Sequence, residues 1–168
     1  LCEHQKQHLQ ILTFEERADT LRRNVRTLGW DQAALEAEGK LALVNGRVDP
    51  QAVLSGAFDL QAMLAILGKK AETVGAHRVF FDAPDVFLRL LSDPVRERRE
   101  LYRINDWLRE QELTAVMSMK RQGHDGGHYE FLDYLADCVI HMDQRVDEQI
   151  TTRRLRVLKY RGSDFGRN

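Results

Sequence analysis

Apolar residues along this chain alternate between two spacings. Compact apolar runs at 9–14, 41–44, 78–81 and 113–119 have the length and composition of buried strands. Between them the apolar positions recur at helical spacing. Ala18, Leu21, Val25 and Leu28 define a first helix, and Gly29 is placed to end it. Asp31 is positioned to cap a short helix through Glu38, which Gly39 stops. Asn45-Gly46 and Asp49-Pro50 supply turn chemistry. Leu60, Leu64, Leu67 and Ala71 mark a helix that fades near Gly75, and a brief helix is predicted near 86–91. Asp93 caps the next one, with Pro94 in its first turn, where a missing N–H costs nothing. Leu101, Ile104 and Leu108 form its buried stripe, and the charged cluster 96–100 its solvated side. A Gly-rich loop at 122–128 and a short helix near 129–136 precede two strands, 138–142 and 151–160, expected to pair as a hairpin. Strand–helix alternation predicts an α/β fold with a mainly parallel sheet and a C-terminal β-hairpin, in one domain over 1–168.

Composition narrows the function classes. With 25 Lys+Arg against 26 Asp+Glu the net charge is −1, which counts against a strongly basic nucleic-acid module. No apolar run approaches the roughly 20 residues needed to span a bilayer, so no membrane role is expected. Cys2 and Cys138 form neither a metal motif nor a disulfide framework, and read as ordinary buried or half-buried residues in a reduced, cytoplasmic setting. Trp30 and Trp107 read as core or interface anchors.

Ligands of parallel sheets sit beyond the carboxyl ends of the strands. Three features fall there: Glu15-Glu16 after the first strand, Asp82 after the third, and Lys120-Arg121 after the fourth. The glutamates can stabilise a helix start, or orient and deprotonate an attacking water. Val79-Phe80-Phe81-Asp82 fits an apolar strand ending on a Walker B aspartate, which supports Mg²⁺ on a nucleotide phosphate; an Asp capping the following helix fits equally. The Walker A pattern Gly-x-x-x-x-Gly-Lys-Ser/Thr is absent: Gly39-Lys40 runs into Leu41 and Gly68-Lys69 into Lys70. A phosphate loop, if one serves this site, is expected ahead of Leu1. In the basic, alternating stretch 153–162, Lys159 and Arg161 lie two apart and so share a strand face, from which they can reach one phosphate together. His4 with His8, and His124 with His128, have no further ligand set and read as surface residues.

With these features assembled, the chain from about Thr13 to Asn168 resembles the KaiC family, circadian-clock-type ATPases of the RecA superfamily. The resemblance rests on Thr13-Phe14-Glu15-Glu16, on Leu21-Arg22-Arg23-Asn24-Val25-Arg26 with Gly29-Trp30-Asp31, and on Glu38-Gly39-Lys40-Leu41. It continues through Arg98-Arg99-Glu100-Leu101-Tyr102-Arg103 and Leu158-Lys159-Tyr160-Arg161-Gly162-Ser163.

The resemblance implies a RecA-like three-layer α/β/α lobe, lacking its phosphate-loop strand here, that assembles into a hexameric ring with ATP between subunits. It implies Glu15 and Glu16 as the catalytic glutamate pair, Asp82 as the residue supporting Mg²⁺, and Thr27 as a nucleotide contact. Lys159, Tyr160, Arg161 and Ser163 match the segment that touches ATP from the adjacent subunit, and Phe165 stands where some members place a histidine. The stretch 126–133 contains no Ser or Thr, unlike the family's autophosphorylated second lobe, so the chain is similar to the first, ATP-hydrolysing lobe. A second lobe would make the parent protein a Ser/Thr autokinase, and the clock proteins KaiA and KaiB are its implied partners. A RecA-like DNA-binding repair module and a nucleotide-free scaffold are the alternatives.

Overall fold

A computed structural model of the chain describes residues 8–120, 131–147 and 150–162. These fall into two compact units, divided after Lys120. The first contains four strands, β1 (His8–Thr13), β2 (Leu41–Asn45), β3 (Ala76–Asp82) and β4 (Thr114–Ser118). They form one parallel sheet in the order β2-β1-β3-β4. Its helices are α1 (Ala18–Arg26), α2 (Gln32–Ala37), α3 (Pro50–Leu54), α4 (Leu60–Val74), α5 (Asp85–Leu88) and α6 (Pro94–Glu110). A single 3₁₀ turn, Arg89–Leu91, follows α5.

Handedness distributes these helices. Right-handed crossovers that run in opposite directions along a sheet lie on opposite faces. The step from β1 to β2 runs one way, and those from β2 to β3 and from β3 to β4 run the other. Helices α1 and α2, which pack together, therefore cover one face, while α4 and α6, also in contact, cover the other. The result is the three-layer α/β/α arrangement. The core lies between the sheet and α4–α6: Leu12, Leu67, Val79, Phe81 and Ile104 are almost wholly buried, and Phe87 of α5 joins them.

Local chemistry explains several helix ends. Asp31, Asp49, Asp59 and Asp93 each accept a backbone N–H at the start of a helix. Asp49-Pro50, expected as a turn, caps the short helix α3 instead, with Pro50 in its first turn. Gly75 ends α4 at φ 62°, a left-handed conformation that costs glycine little. The first helix stops at Arg26, so Leu28 lies outside it and is 72% exposed.

The charged cluster 96–100 is not, as expected, wholly on the solvated side of α6. Arg96, Arg98 and Arg99 are exposed, but Glu97 and Glu100 are buried along with Leu101, Ile104 and Leu108. Spacings of three and four put both glutamates on the apolar stripe. Arg99 and Arg103 hold the Glu100 carboxylate at 3.2 and 3.3 Å, which offsets its removal from water.

The second unit holds a short helix, α7 (Leu132–Leu135), and an antiparallel hairpin of β5 (Cys138–Asp147) with β6 (Ile150–Tyr160). The hairpin is longer than expected and carries an irregularity between Val139 and Ile140. Ile140, Met142, Leu155 and Val157 occupy paired positions on one face, and His141, Asp143, Arg154 and Arg156 on the other. Cys138 is exposed, where a buried or half-buried residue is expected. Trp30 is likewise 68% exposed, while Trp107 is half-buried against α4.

Candidate functional site

The last residues of the four parallel strands stand in register as a polar row, Asn45–Thr13–Asp82–Ser118. The row before it, Val44–Leu12–Phe81–Met117, is apolar. The sheet thus changes character within one residue at its carboxyl edge. The chain leaves β1 toward β2 and leaves β3 toward β4, so adjacent strands diverge between Thr13 and Asp82. Such a switch point opens a crevice beyond the strand ends, the usual ligand position in parallel α/β sheets.

Side chains link the row. Ser118 Oγ donates to Asp82 Oδ1 at 2.9 Å and accepts the Ala83 N–H at 3.1 Å. Thr13 Oγ1 lies 3.4 Å from Asp82 Oδ2 and accepts the Glu16 N–H at 3.2 Å. Both carboxylate oxygens of Asp82 therefore face a hydroxyl, one from each flanking strand. Ala83, directly after Asp82, has φ 55°, which costs a residue with a Cβ about 1–2 kcal/mol. Its N–H is held by both the carbonyl and the hydroxyl of Ser118, which keeps it there.

Glu15 and Glu16 sit on the turn leaving β1. Phe14, just before them, is buried and stacks on Phe87 with ring centroids 5.0 Å apart. The Phe14 N–H donates to the Asp82 carbonyl at 3.1 Å. The glutamate turn is thus tied by backbone to the end of β3. Glu15 is exposed; Glu16 is half-buried and takes a long hydrogen bond, 3.4 Å, from Asn24 Nδ2. The structure therefore brings Glu15, Glu16 and Asp82 to one end of the sheet. Thr27 is elsewhere: it caps the far end of α1, its hydroxyl 2.6 Å from the Asn24 carbonyl, nine helical residues or about 13 Å along from the turn.

In the second unit, Lys159 and Arg161 do converge. Lys159 Nζ donates to the carbonyls of Asp133 and Tyr134, and Arg161 Nη2 donates to the same Tyr134 carbonyl at 2.6 Å. These oxygens end α7 and lack helical partners, so cations are favoured there. Arg161 also pairs with Asp137 at 3.1 Å. Tyr160, between them in sequence, is half exposed. Ser163 and Phe165 lie outside the described residues, as do Cys2, His4, Arg121, His124 and His128.

Three contributors escaped the reading of the sequence as site residues. Thr13 and Ser118 lie within apolar runs, where a single hydroxyl gives no signal, and only strand register shows them flanking Asp82. Asp85 is a buried carboxylate that holds Arg89 at 2.9 Å and the Lys120 N–H at 3.5 Å, while Arg89 reaches the Lys120 carbonyl. It fixes the chain just after β4 against α5.

The donors at the row are hard oxygens: one carboxylate and two hydroxyls. That set suits Mg²⁺, which commonly takes one or two carboxylates, several waters and substrate phosphates. Among the described residues no group of three or more His, Cys, Asp or Glu is gathered as a metal cage. No helix among them is long and apolar enough to cross a membrane.

A parallel sheet with a carboxylate at its switch point and a glutamate turn beside it is an arrangement that a RecA-like α/β domain shares. The family model described as "ATPase: KaiC" matches residues 2–168, and the chain belongs to that family. It is 33% identical over 159 residues to the circadian clock protein KaiC2 of Synechocystis sp., covering 94% of this chain and 28% of the relative. It is 32% identical to KaiC3 of the same organism over 92% of this chain and 31% of the relative. The circadian clock oscillator protein KaiC of Synechococcus elongatus is 30% identical over 91% of this chain and 30% of its own length. The chain thus spans less than a third of these curated relatives. The family is one of ATPases.

Proposed function

We propose that this chain contributes the hydrolytic half-site of an ATP-driven ring: Mg-ATP bound at the switch point is cleaved slowly, and the turnover times a conformational change. One observation carries the reading: Asp82 and the Glu15-Glu16 turn are fastened to the same sheet end through Thr13 and Phe14. Both units would serve one ATPase domain, since a single family match runs across them.

Within that reading each group has a task. Asp82, its carboxylate faced by two hydroxyls, would help hold Mg²⁺ at the strand ends. The cation, when bound with ATP, neutralises charge on the terminal phosphates. Glu15 or Glu16 orients the attacking water and takes its proton. Lys159 and Arg161 exchange the neutral Tyr134 carbonyl for phosphate oxygens of ATP on a neighbouring subunit, stabilising charge as it develops. Tyr160 and Ser163 add nucleotide contacts, and Thr27, at the far end of α1, would meet a part of the nucleotide remote from the glutamate turn. The assembly is a cytoplasmic homohexamer with KaiA- and KaiB-like partners, and the parent protein is an autokinase through a further lobe. These last features rest on kinship with the circadian relatives.

The test is the full-length protein with Glu15→Gln and Glu16→Gln together. ATP binding should persist while turnover falls by about 10²–10⁴, the usual contribution of a general base. Unaltered turnover would remove the glutamates from the mechanism.

A further inference from the structure

We infer that Ser118 and Thr13 are positioning residues that set the plane of the Asp82 carboxylate for its metal-bound waters; this rests on the nucleotide-site reading above. An aspartate carboxylate can rotate about its Cβ–Cγ bond, and each of its oxygens has two lone-pair directions. Here Oδ1 takes Ser118 from β4 and Oδ2 takes Thr13 from β1. The two bonds come from opposite sides and oppose rotation. One direction on each oxygen remains for water.

The two hydroxyls are not equivalent. A hydroxyl carries one hydrogen, and where it points depends on what else the oxygen binds. Ser118 Oγ already accepts the Ala83 N–H, which directs its own hydrogen to Asp82 at 2.9 Å. Thr13 Oγ1 also accepts an N–H, from Glu16, but has two acceptors for its hydrogen. These are the Glu16 carbonyl at 3.1 Å and Asp82 at 3.4 Å. Ser118 is the committed clamp. Thr13 is shared, and so joins the position of the glutamate turn to that of Asp82.

The measurement is binding of a fluorescent ATP analogue by the full-length protein, titrated with Mg²⁺ and repeated in EDTA. Ser118→Ala should raise the Mg²⁺ concentration at half-effect about tenfold, the scale of one hydrogen bond to a charged group. Thr13→Val should raise it by about threefold, because that bond is longer and divided. The hydroxyl-keeping variants Ser118→Thr and Thr13→Ser should stay within about twofold of the parent, and binding in EDTA should not change. Asp82→Asn, which removes the group being positioned, should abolish most of the Mg²⁺ dependence. If Asp82→Asn has that effect and Ser118→Ala does not shift the titration, the positioning role is wrong. A Ser118→Thr shift as large as that of alanine, or loss of binding in EDTA, would mark damage to packing and would equally overturn it. Should Asp82→Asn leave the Mg²⁺ dependence intact, the nucleotide-site reading itself fails, and the positioning role with it.

Discussion

Phe14 separates Thr13 from Glu15, and its burial decides where both polar neighbours stand. The ring is clamped between Phe87 on α5 and the first residue after β2, Gly46. Gly46 has a specific reason to be glycine: a Cβ there would lie 2.7 Å from Leu12 Cδ1 and 3.2 Å from Phe14 Cδ1. Its N–H also donates to the Thr13 carbonyl at 2.8 Å, so it cannot simply retreat. Gly46→Ala should therefore destabilise the protein by about 1–3 kcal/mol through overpacking. Chemical denaturation of the parent and variant checks this, and equal midpoints would contradict it. None of this was legible in the sequence, where Asn45-Gly46 reads as turn chemistry and Phe14 as the end of an apolar run. Which side chain fills the space over a glycine depends on a neighbouring strand, and no local pattern encodes it.

Elements were more legible than contacts. The four parallel strands, the hairpin and the longer helices arise where apolar spacing and Asp caps predict them, because period and capping are local properties. The departures have local causes too. The helix α3 was hidden because Asp-Pro serves turns and helix starts alike. Glu97 and Glu100 are buried although they belong to a charged cluster, because helical geometry divides that cluster between two faces. The α4–α6 contact offers a prediction at this scale. Gly68 is buried within α4, and an added Cβ would meet Gln111 and Trp107 at 3.6–3.9 Å, ordinary contact distances. Gly68→Ala should raise stability by up to about 1 kcal/mol, through helix propensity and a less flexible unfolded chain. A lower melting temperature for this variant would mean that α4 and α6 are already packed to their limit.

Across the whole molecule, the candidate site depends on strand order. Asp82 and the glutamates could be singled out from sequence because each follows an apolar run. That Thr13 and Ser118 flank Asp82 follows only from the order β1-β3-β4 and its register. The same order leaves β4 at the sheet edge among the described residues, with Val116 59% exposed. The chain contains no Gly-x-x-x-x-Gly-Lys-Ser/Thr loop, so its anionic row has no Walker A cradle to hold phosphate. The 168-residue chain alone should accordingly show no rise in melting temperature with Mg-ATP. Tight binding at a hundred times the dissociation constant would add about 2.7 kcal/mol. A clear ATP-induced shift would place the phosphate site among residues not considered for it.

Hydrolysis shared between subunits is the central claim, and complementation measures it most directly. Full-length protein carrying Glu15→Gln with Glu16→Gln lacks the proposed base, and protein carrying Arg161→Ala lacks the cation supplied to the neighbour. Each alone should turn ATP over slowly; a trans-acting arginine can contribute about 10³–10⁵ in rate. Mixed before assembly, the two should form some interfaces with an intact glutamate turn on one side and Arg161 on the other. ATP turnover of the mixture should then exceed the sum of the separate variants and peak at intermediate ratios. Turnover that never exceeds that sum at any ratio, with mixed assembly verified, would contradict the account.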